Sequence, residues 1–333
     1  MGTPPDRILV EFSHDGLLFV APLKGGRARI IADVTGDVTE ADEATVRAIM
    51  AARSPVLVEV SDPAWMTVFR ISERQVPRYR HDRIFLAGDA AHIHSPAGGQ
   101  GMNTGMQDAY NLGWKLELAL KQNAGDGLLE SYHDERHPVG AMVLATTGRM
   151  LRMIDLKSMV GRFTRDTLIG LLGPRETVQS RMRQQLSQHN IAYHDSAITL
   201  NDWHHGRQAI KAGDRAPDGP LIDPDGHPTT LFEVMRGPGH LVLGFADGAD
   251  AGADAVRHVV EAAEYKHPDM VKTMIVSRDR PGWRDPEGEL HKRYGASGPC
   301  HFVIRPDGYI GLASNSPDLV PMGRYLGGIL QHA

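Results

Sequence analysis

The chain has 333 residues, a formal net charge of −5, 41 % hydrophobic residues and one cysteine, Cys300. That length allows two or three domains with real cores, and the acidic balance argues against a nucleic-acid protein, which carries a basic excess. A lone cysteine excludes an internal disulfide and points to a reducing, cytoplasmic setting; no apolar run is long enough to span a bilayer, and MGTPPDRILVEF lacks the apolar core of a signal peptide.

Residues 8–34 read as three strands, ILVEF, LLFVAPL and RARIIADV, separated by the turn-prone HDG and KGG. TEADEATVRAIMAARS predicts a short helix with Thr39 as N-cap and acids in its first turn. LVEV and MTVFRI return to strand through their β-branched residues, and RIFLA at 83–87 predicts a short buried strand. From Gly101 the pattern turns helical, with Met102, Met106, Ala109, Gly113, Leu116 and Leu120 on one face. Helical sequence resumes near Leu128 and is expected to be interrupted at Pro138; residues 150–190 read as connecting helices.

Near Gly206 the composition changes, and KAGDRAPDGPLIDPDGHPTT reads as a linker or loop entry. HLVLGF as strand, ADAVRHVVEAAEY as helix, VKTMIVS as strand and ELHKRYG as helix follow. A hairpin CHFVIRPDGYIGL, turning at Pro306-Asp307-Gly308, and a last helix complete the order of a thioredoxin-type domain. Gly298-Pro299 stands where that fold places its cis-proline. No C-x-x-C follows HLVLGF, so disulfide exchange is not expected, and Cys300 reads as a buried thiol.

The stretch LAGDAAHIHSPAGGQGMN, 86–103, carries the chemistry. Asp89 follows an apolar run, where ligands bind at strand ends, and can accept hydrogen bonds from hydroxyls; alternatively it only solubilises a loop. Gly98, Gly99 and Gly101, with Gln100 between them, let the backbone approach a flat ligand. The helix beginning near Gly101 offers the free amides of Met102 and Asn103, and its partial positive charge attracts an anion. A reduced flavin is such an anion, its negative charge lying at one edge of the ring. The loop is neither a Walker motif, with no lysine until Lys115, nor G-x-G-x-x-G.

G-D-A-A-H-x-x-x-P-x-x-G-x-G-x-N, here Gly88, Asp89, Ala90, Ala91, His92, Pro96, Gly98 to Gly101, Met102 and Asn103, resembles the second flavin motif of the group A FAD-dependent aromatic hydroxylases, the p-hydroxybenzoate hydroxylase and phenol hydroxylase family. The resemblance continues through AYNLGWKLELAL and SYHDERHP to RAPDGPL and RPDGYIGL, as in members with a thioredoxin-like domain that lacks redox cysteines. It implies Asp89 on the ribityl hydroxyls, the Met102 and Asn103 amides on the flavin pyrimidine edge, and Pro96 beside the substrate. It also implies that the first strands form the floor of an aromatic-substrate pocket. Phe12, Phe19, Trp65 and Phe69 are candidates there, with His94 facing the substrate; ordinary core packing is the alternative for each aromatic.

The implied fold is mixed α/β and α+β: a substrate-binding sheet over 1–80, the C-terminal part of a p-hydroxybenzoate hydroxylase-like FAD-binding domain over 81–150, connecting helices over 151–205, and a thioredoxin-like α/β domain over 206–333. The family's opening G-x-G-x-x-G and its central D-G motif do not occur, so the FAD-binding domain is expected to be incomplete, a truncated or split form. The implied activity is hydroxylation of a phenolic or polyketide-type aromatic using FAD, NAD(P)H and O2. A homodimer, or a companion chain carrying the missing ADP-binding unit, is the expected protein partner. A non-catalytic remnant acting as an interaction or dimerisation module is the rival reading. No catalytic acid–base residue is assigned. No metal is assigned either: His133 and His137 are spaced as zinc ligands could be, but H-E-x-x-H fails, and a solvated helix face is the expectation.

Overall fold

Three N-terminal segments are rich in apolar and β-branched residues, and they pair as neighbouring antiparallel strands. In the computed structural model, which describes residues 8–13, 16–34, 39–55, 58–95, 100–121, 124–154, 171, 175–177, 180 and 187–329, β1 (Leu9–Ser13), β2 (Gly16–Pro22) and β3 (Ala28–Ala32) form a meander. Gly25 and Gly26, both at positive φ, make the second turn. Leu18 and Val20 point to one face of β2 and pack against Met50 of α1 (Glu43–Arg53). Asp42 caps α1 by accepting from the Thr45 amide at 2.6 Å. The cap is thus Asp42 and not Thr39, because the helix starts one turn later than the acids suggest.

The expected strands LVEV and MTVFRI do not form: their described residues, within 58–71, are unpaired. β-Branched residues favour a pleated surface, but a strand needs a partner, and no described strand offers one here. The expected buried strand at 83–87 is also reduced. β4 (Arg74–Gln75) precedes a minimal hairpin of β5 (Arg80–His81) and β6 (Ile84–Phe85), and Ile84 is 66 % exposed. A 3-10 turn (Gly88–Ala90) leads to β7 (His92–Ile93), which pairs with β4.

Two long helices follow. α2 spans Gly101–Lys121 and α3 Asp126–Ile154. Pro138 lies inside α3 without ending it. Its ring deprives the Asp134 carbonyl of a donor, and both residues are exposed, where water can supply one. The α2 face expected to be buried is turned outward: Met102, Met106 and Leu120 are exposed, as are Ala109 and Gly113, and only Leu116 is half-buried. Thr104, Asp108, Asn111, Trp114 and Lys115 are buried instead. The reason is a network of buried charges, described below, that draws the polar side of the helix inward. The connecting helices expected at 150–190 fall largely outside the described residues.

The C-terminal part follows its expected order closely. β8 (Leu200–Asp202), β9 (Pro220–Ile222) and β10 (Pro228–Thr230) precede a one-turn α4 (Leu231–Val234). Then come β11 (His240–Phe245), α5 (Ala251–Lys266), β12 (Val271–Ser277), β13 (Trp283–Arg284) and α6 (Glu289–Tyr294). The hairpin of β14 (Cys300–Ile304) and β15 (Ile310–Ser314) and helix α7 (Val320–Ile329) complete it. The strands make one mixed sheet in the order β10-β9-β13-β12-β11-β14-β15-β8, with β11 parallel to β12 and antiparallel to β14. Both faces are covered. Val242, Val303 and Leu312 pack under α5 and α7 on one side, and Leu243, Phe245 and Phe302 under Leu290 and Tyr294 of α6 on the other. The supposed linker after Gly206 is partly built into this body through the β9–β10 hairpin and buried Ala212, Ala216 and Leu221. No cis peptide occurs among the described residues, so the Gly298–Pro299 bond is trans.

The chain divides into two compact units. The first comprises Met1–Glu73, His94–Gly98 and Leu144–Val178; the second comprises Arg74–Ile93, Gly99–Val143 and Gln179–Ala333.

Candidate functional site

Within the second unit the turn at Gly88 follows the half-buried Leu86 and Ala87. Gly88 is left-handed, φ +58°, and its carbonyl accepts from the Ala91 amide at 2.8 Å. Asp89 sits at the top of this turn with its side chain exposed. Helix α2 lies directly against the turn: a Cβ on Gly105 would stand 3.2 Å from the Gly88 Cα, so any larger residue there would press on the turn.

Helix α2 begins at Gly101, where its start was expected. The Thr104 amide donates to the Gln100 carbonyl at 2.9 Å, so the amides of Gly101, Met102 and Asn103 precede the first intrahelical donor. Met102 and Asn103 are exposed, and Gln100 is buried. Pro96, Gly98 and Gly99, the remaining expected members of the loop, lie outside the described residues.

Beneath the turn is a buried ionic layer. Asp108, fully buried on α2, accepts from the Gly88 amide at 3.1 Å and the His92 Nε2 at 2.7 Å on one oxygen. Its other oxygen accepts from the Arg136 Nε at 2.7 Å. Burial by itself would raise the Asp108 carboxyl, but the His92 hydrogen bond and the Arg136 guanidinium outweigh it and hold the group below the usual carboxylate range. Arg136 also donates to the Tyr193 hydroxyl at 2.8 Å and the Thr104 carbonyl at 3.2 Å.

The next residue on α3, Glu135, faces a second cluster. It accepts from Arg305 at 2.7 and 2.8 Å, Lys115 at 2.8 Å, Asn111 at 2.7 Å and Ser196 at 2.6 Å. Asp307, in the hairpin turn between β14 and β15, takes the other side of Arg305 and accepts from Asn111 and from the Trp114 indole, each at 3.0 Å. Burial opposes the Glu135 charge, and Arg305 and Lys115 overcome it, pulling its carboxyl far below the usual range. These residues received no role from the sequence; only the steps of three and four from Asp108 through Asn111 to Lys115 along α2 hinted at a shared face.

His133 and His137 do not form the expected solvated face. Both are half-buried against Tyr79, at 6.1 and 5.2 Å between rings, and the His133 Nδ1 accepts from the Tyr79 amide at 3.3 Å.

The substrate candidates all belong to the first unit. Phe12 lies in β1 with its backbone opposite Leu17, and Phe19 is half-buried on β2 opposite Val10 and Ile31. Trp65 is 75 % and Phe69 54 % exposed on unpaired chain, not on a strand. The His94 Nδ1 stands 2.9 Å from the Ser95 carbonyl oxygen. None of the aromatic three with described side chains, Phe19, Trp65 and Phe69, joins the buried cluster of that unit.

Residues 8–147 match the FAD binding domain family. The chain is 35 % identical over 269 residues to the 6-methylpretetramide 4-monooxygenase of Streptomyces rimosus, covering 76 % of this chain and 45 % of that protein. It is 33 % identical over 316 residues to the pentachlorophenol 4-monooxygenase of Sphingobium chlorophenolicum, covering 92 % of this chain and 56 % of that one. Among solved structures, the anhydrotetracycline hydroxylase of Streptomyces rimosus superposes with a TM-score of 0.71 at 28 % identity, over 98 % of this chain and 60 % of that chain. The chain is thus similar, over most of its length, to FAD-dependent aromatic and polyketide monooxygenases, and it spans about half the length of the curated relatives it matches. No described helix is long and apolar enough to cross a membrane.

Proposed function

We propose that this chain is the flavin-ring and substrate part of an FAD-dependent monooxygenase that hydroxylates a phenolic or polyketide-type aromatic with NAD(P)H and O2. The observation that carries the reading is the pairing, on one rigid support, of an exposed acid on a glycine turn with the open amides of a long helix. The residues fit the flavin half of FAD. Asp89 would accept from the ribityl hydroxyls. The Met102 and Asn103 amides would hold the pyrimidine edge, where a reduced ring carries its charge. Gly101, and the Pro96, Gly98 and Gly99 of the same loop, would admit the flat ring to the backbone. Bound FAD supplies the redox and oxygen-activating chemistry. The protein's part is to hold the ring, stabilise its anion by helix-start amides and exclude water from the substrate, with Phe12, Phe19, Trp65, Phe69 and His94 as the substrate-side candidates.

Exposed Ile84, Met102, Met106, Tyr110 and Leu120 support a further polypeptide surface over the flavin segment, in a second copy or in a companion chain whose ADP-binding unit would complete the cofactor site. The test is direct. The purified chain is mixed with FAD, freed of excess and scanned for a flavin band at about 450 nm; NADPH is then added with and without a phenol. Retained yellow colour supports flavin binding, and NADPH bleaching supports the hydroxylase. A chain that stays colourless at saturating FAD supports the rival reading, an interaction module built on the thioredoxin-like part.

A further inference from the structure

Helix α2 carries two things at once. Its first turn offers the open amides of 101–103, and Asp108, two turns on, reaches back to the turn that presents Asp89. The Asp108 carboxylate receives three donors: the Gly88 amide, the His92 ring and the Arg136 guanidinium. It is the only polar side chain described as bonded to the Gly88 amide, and it is completely buried. We infer that Asp108 is the positioning residue of the flavin loop, fixing the Gly88–Asp89 turn to the helix whose start offers the amides, an inference that rests on the flavin reading above.

The chemistry demands a carboxylate. It is acceptor-only, with about four lone-pair sites, so it can serve all three donors together. An asparagine has one oxygen and one NH2. Whichever way it is turned, its NH2 meets either the Gly88 amide and His92 or the Arg136 Nε, donor against donor. Glycine at 105 eases the close approach of α2 to the turn, and glycine at 88 suits the left-handed turn itself, φ +58°. Arg136 supplies the countercharge from α3 and ties the same layer to Tyr193 and the Thr104 carbonyl. Asp89 is therefore held from below by a residue it does not touch, and a change at Asp108 should act on flavin binding with Asp89 intact.

Asp108→Asn is compared with the wild-type chain by amide hydrogen exchange, peptide by peptide, and by FAD titration. Exchange of the segment 86–91 is expected to quicken about tenfold or more, while β11 and β14 keep their protection. FAD affinity is expected to fall by a similar factor. Unchanged protection at 86–91 overturns the inference, and so does lost protection with unchanged FAD affinity. A uniform loss of protection through β11 and β14 makes Asp108 a general stability residue and also overturns it. If Asp108→Asn does not fold, His92→Ala replaces it: this removes one tether and leaves the Asp108–Arg136 pair. Exchange at 86–91 is then expected to rise several-fold, and no change overturns the inference. A wild-type chain that takes up no FAD defeats the flavin reading alone, since the exchange measurement still decides whether Asp108 holds the turn.

Discussion

The segment 74–143 and the eight-stranded sheet are held by opposite means. The sheet is held by apolar side chains on both faces, from Leu241 to Phe245 and from Phe302 to Leu312. The segment 74–143 has two-residue strands and a small apolar cluster around Tyr79, Leu112 and Tyr132, and depends on buried charges: Asp108 with Arg136, and Glu135 with Lys115 and Arg305. Apolar packing is forgiving, because many contacts share the load. A buried charge cluster is not, because removing one member leaves another desolvated and unpaired. The two regions meet at Arg305, which belongs to β14's hairpin but neutralises Glu135 of α3.

Arg305→Met tests this contrast most severely. It leaves Glu135 and Asp307 buried with Lys115 as their main cation, and a loss of about 3–5 kcal/mol is expected in denaturant unfolding. A loss below about 1 kcal/mol would mean the cluster is not what joins the regions. Mild acid should come next. Burial depresses His240 to about 3 and His301 to about 4, both from 6.5, so both are neutral in the folded chain. The unfolded chain takes up these protons first. Their contribution is therefore complete above pH 6.5 and declines as the pH falls toward the folded values. Moving from pH 7 to 5.5 should cost roughly 2–3 kcal/mol, from about 1.4 kcal/mol per unit of pKa difference for each group. His240→Phe should remove about half of that dependence; an unchanged slope would place the acid sensitivity elsewhere. Trp65→Ala should be nearly silent, within about 0.5 kcal/mol, since the ring is 75 % exposed. A larger loss would show that Trp65 is packed in the folded protein.

The same contrast explains what could be read in advance. HLVLGF, VKTMIVS and CHFVIRPDGYIGL became β11, β12 and the β14–β15 hairpin because length, β-branched content and the Pro-Asp-Gly turn all agree locally. The glycine turn at 88 and the helix start after Gln100 were also legible, being local backbone features. The inward face of α2 was not. Its apolar period at Met102, Met106 and Leu120 pointed outward, and the buried residues were those a surface would ordinarily carry. Their partners lie 20 to 196 residues away, as for Lys115 with Glu135 and Asn111 with Asp307, and no local pattern announces such distant charge matching. MTVFRI failed for a related reason: strand propensity without a pairing partner leaves extended chain.

The most direct measurement is an FAD titration of the wild-type chain and of Asp89→Ala, followed by flavin fluorescence, with thermal unfolding of both recorded alongside. Saturable binding that weakens about tenfold or more in Asp89→Ala, with an unchanged melting temperature, is the expected result for an exposed acid gripping ribityl hydroxyls. Equal titration curves for the two chains would contradict flavin binding by the Gly88–Asp89 turn.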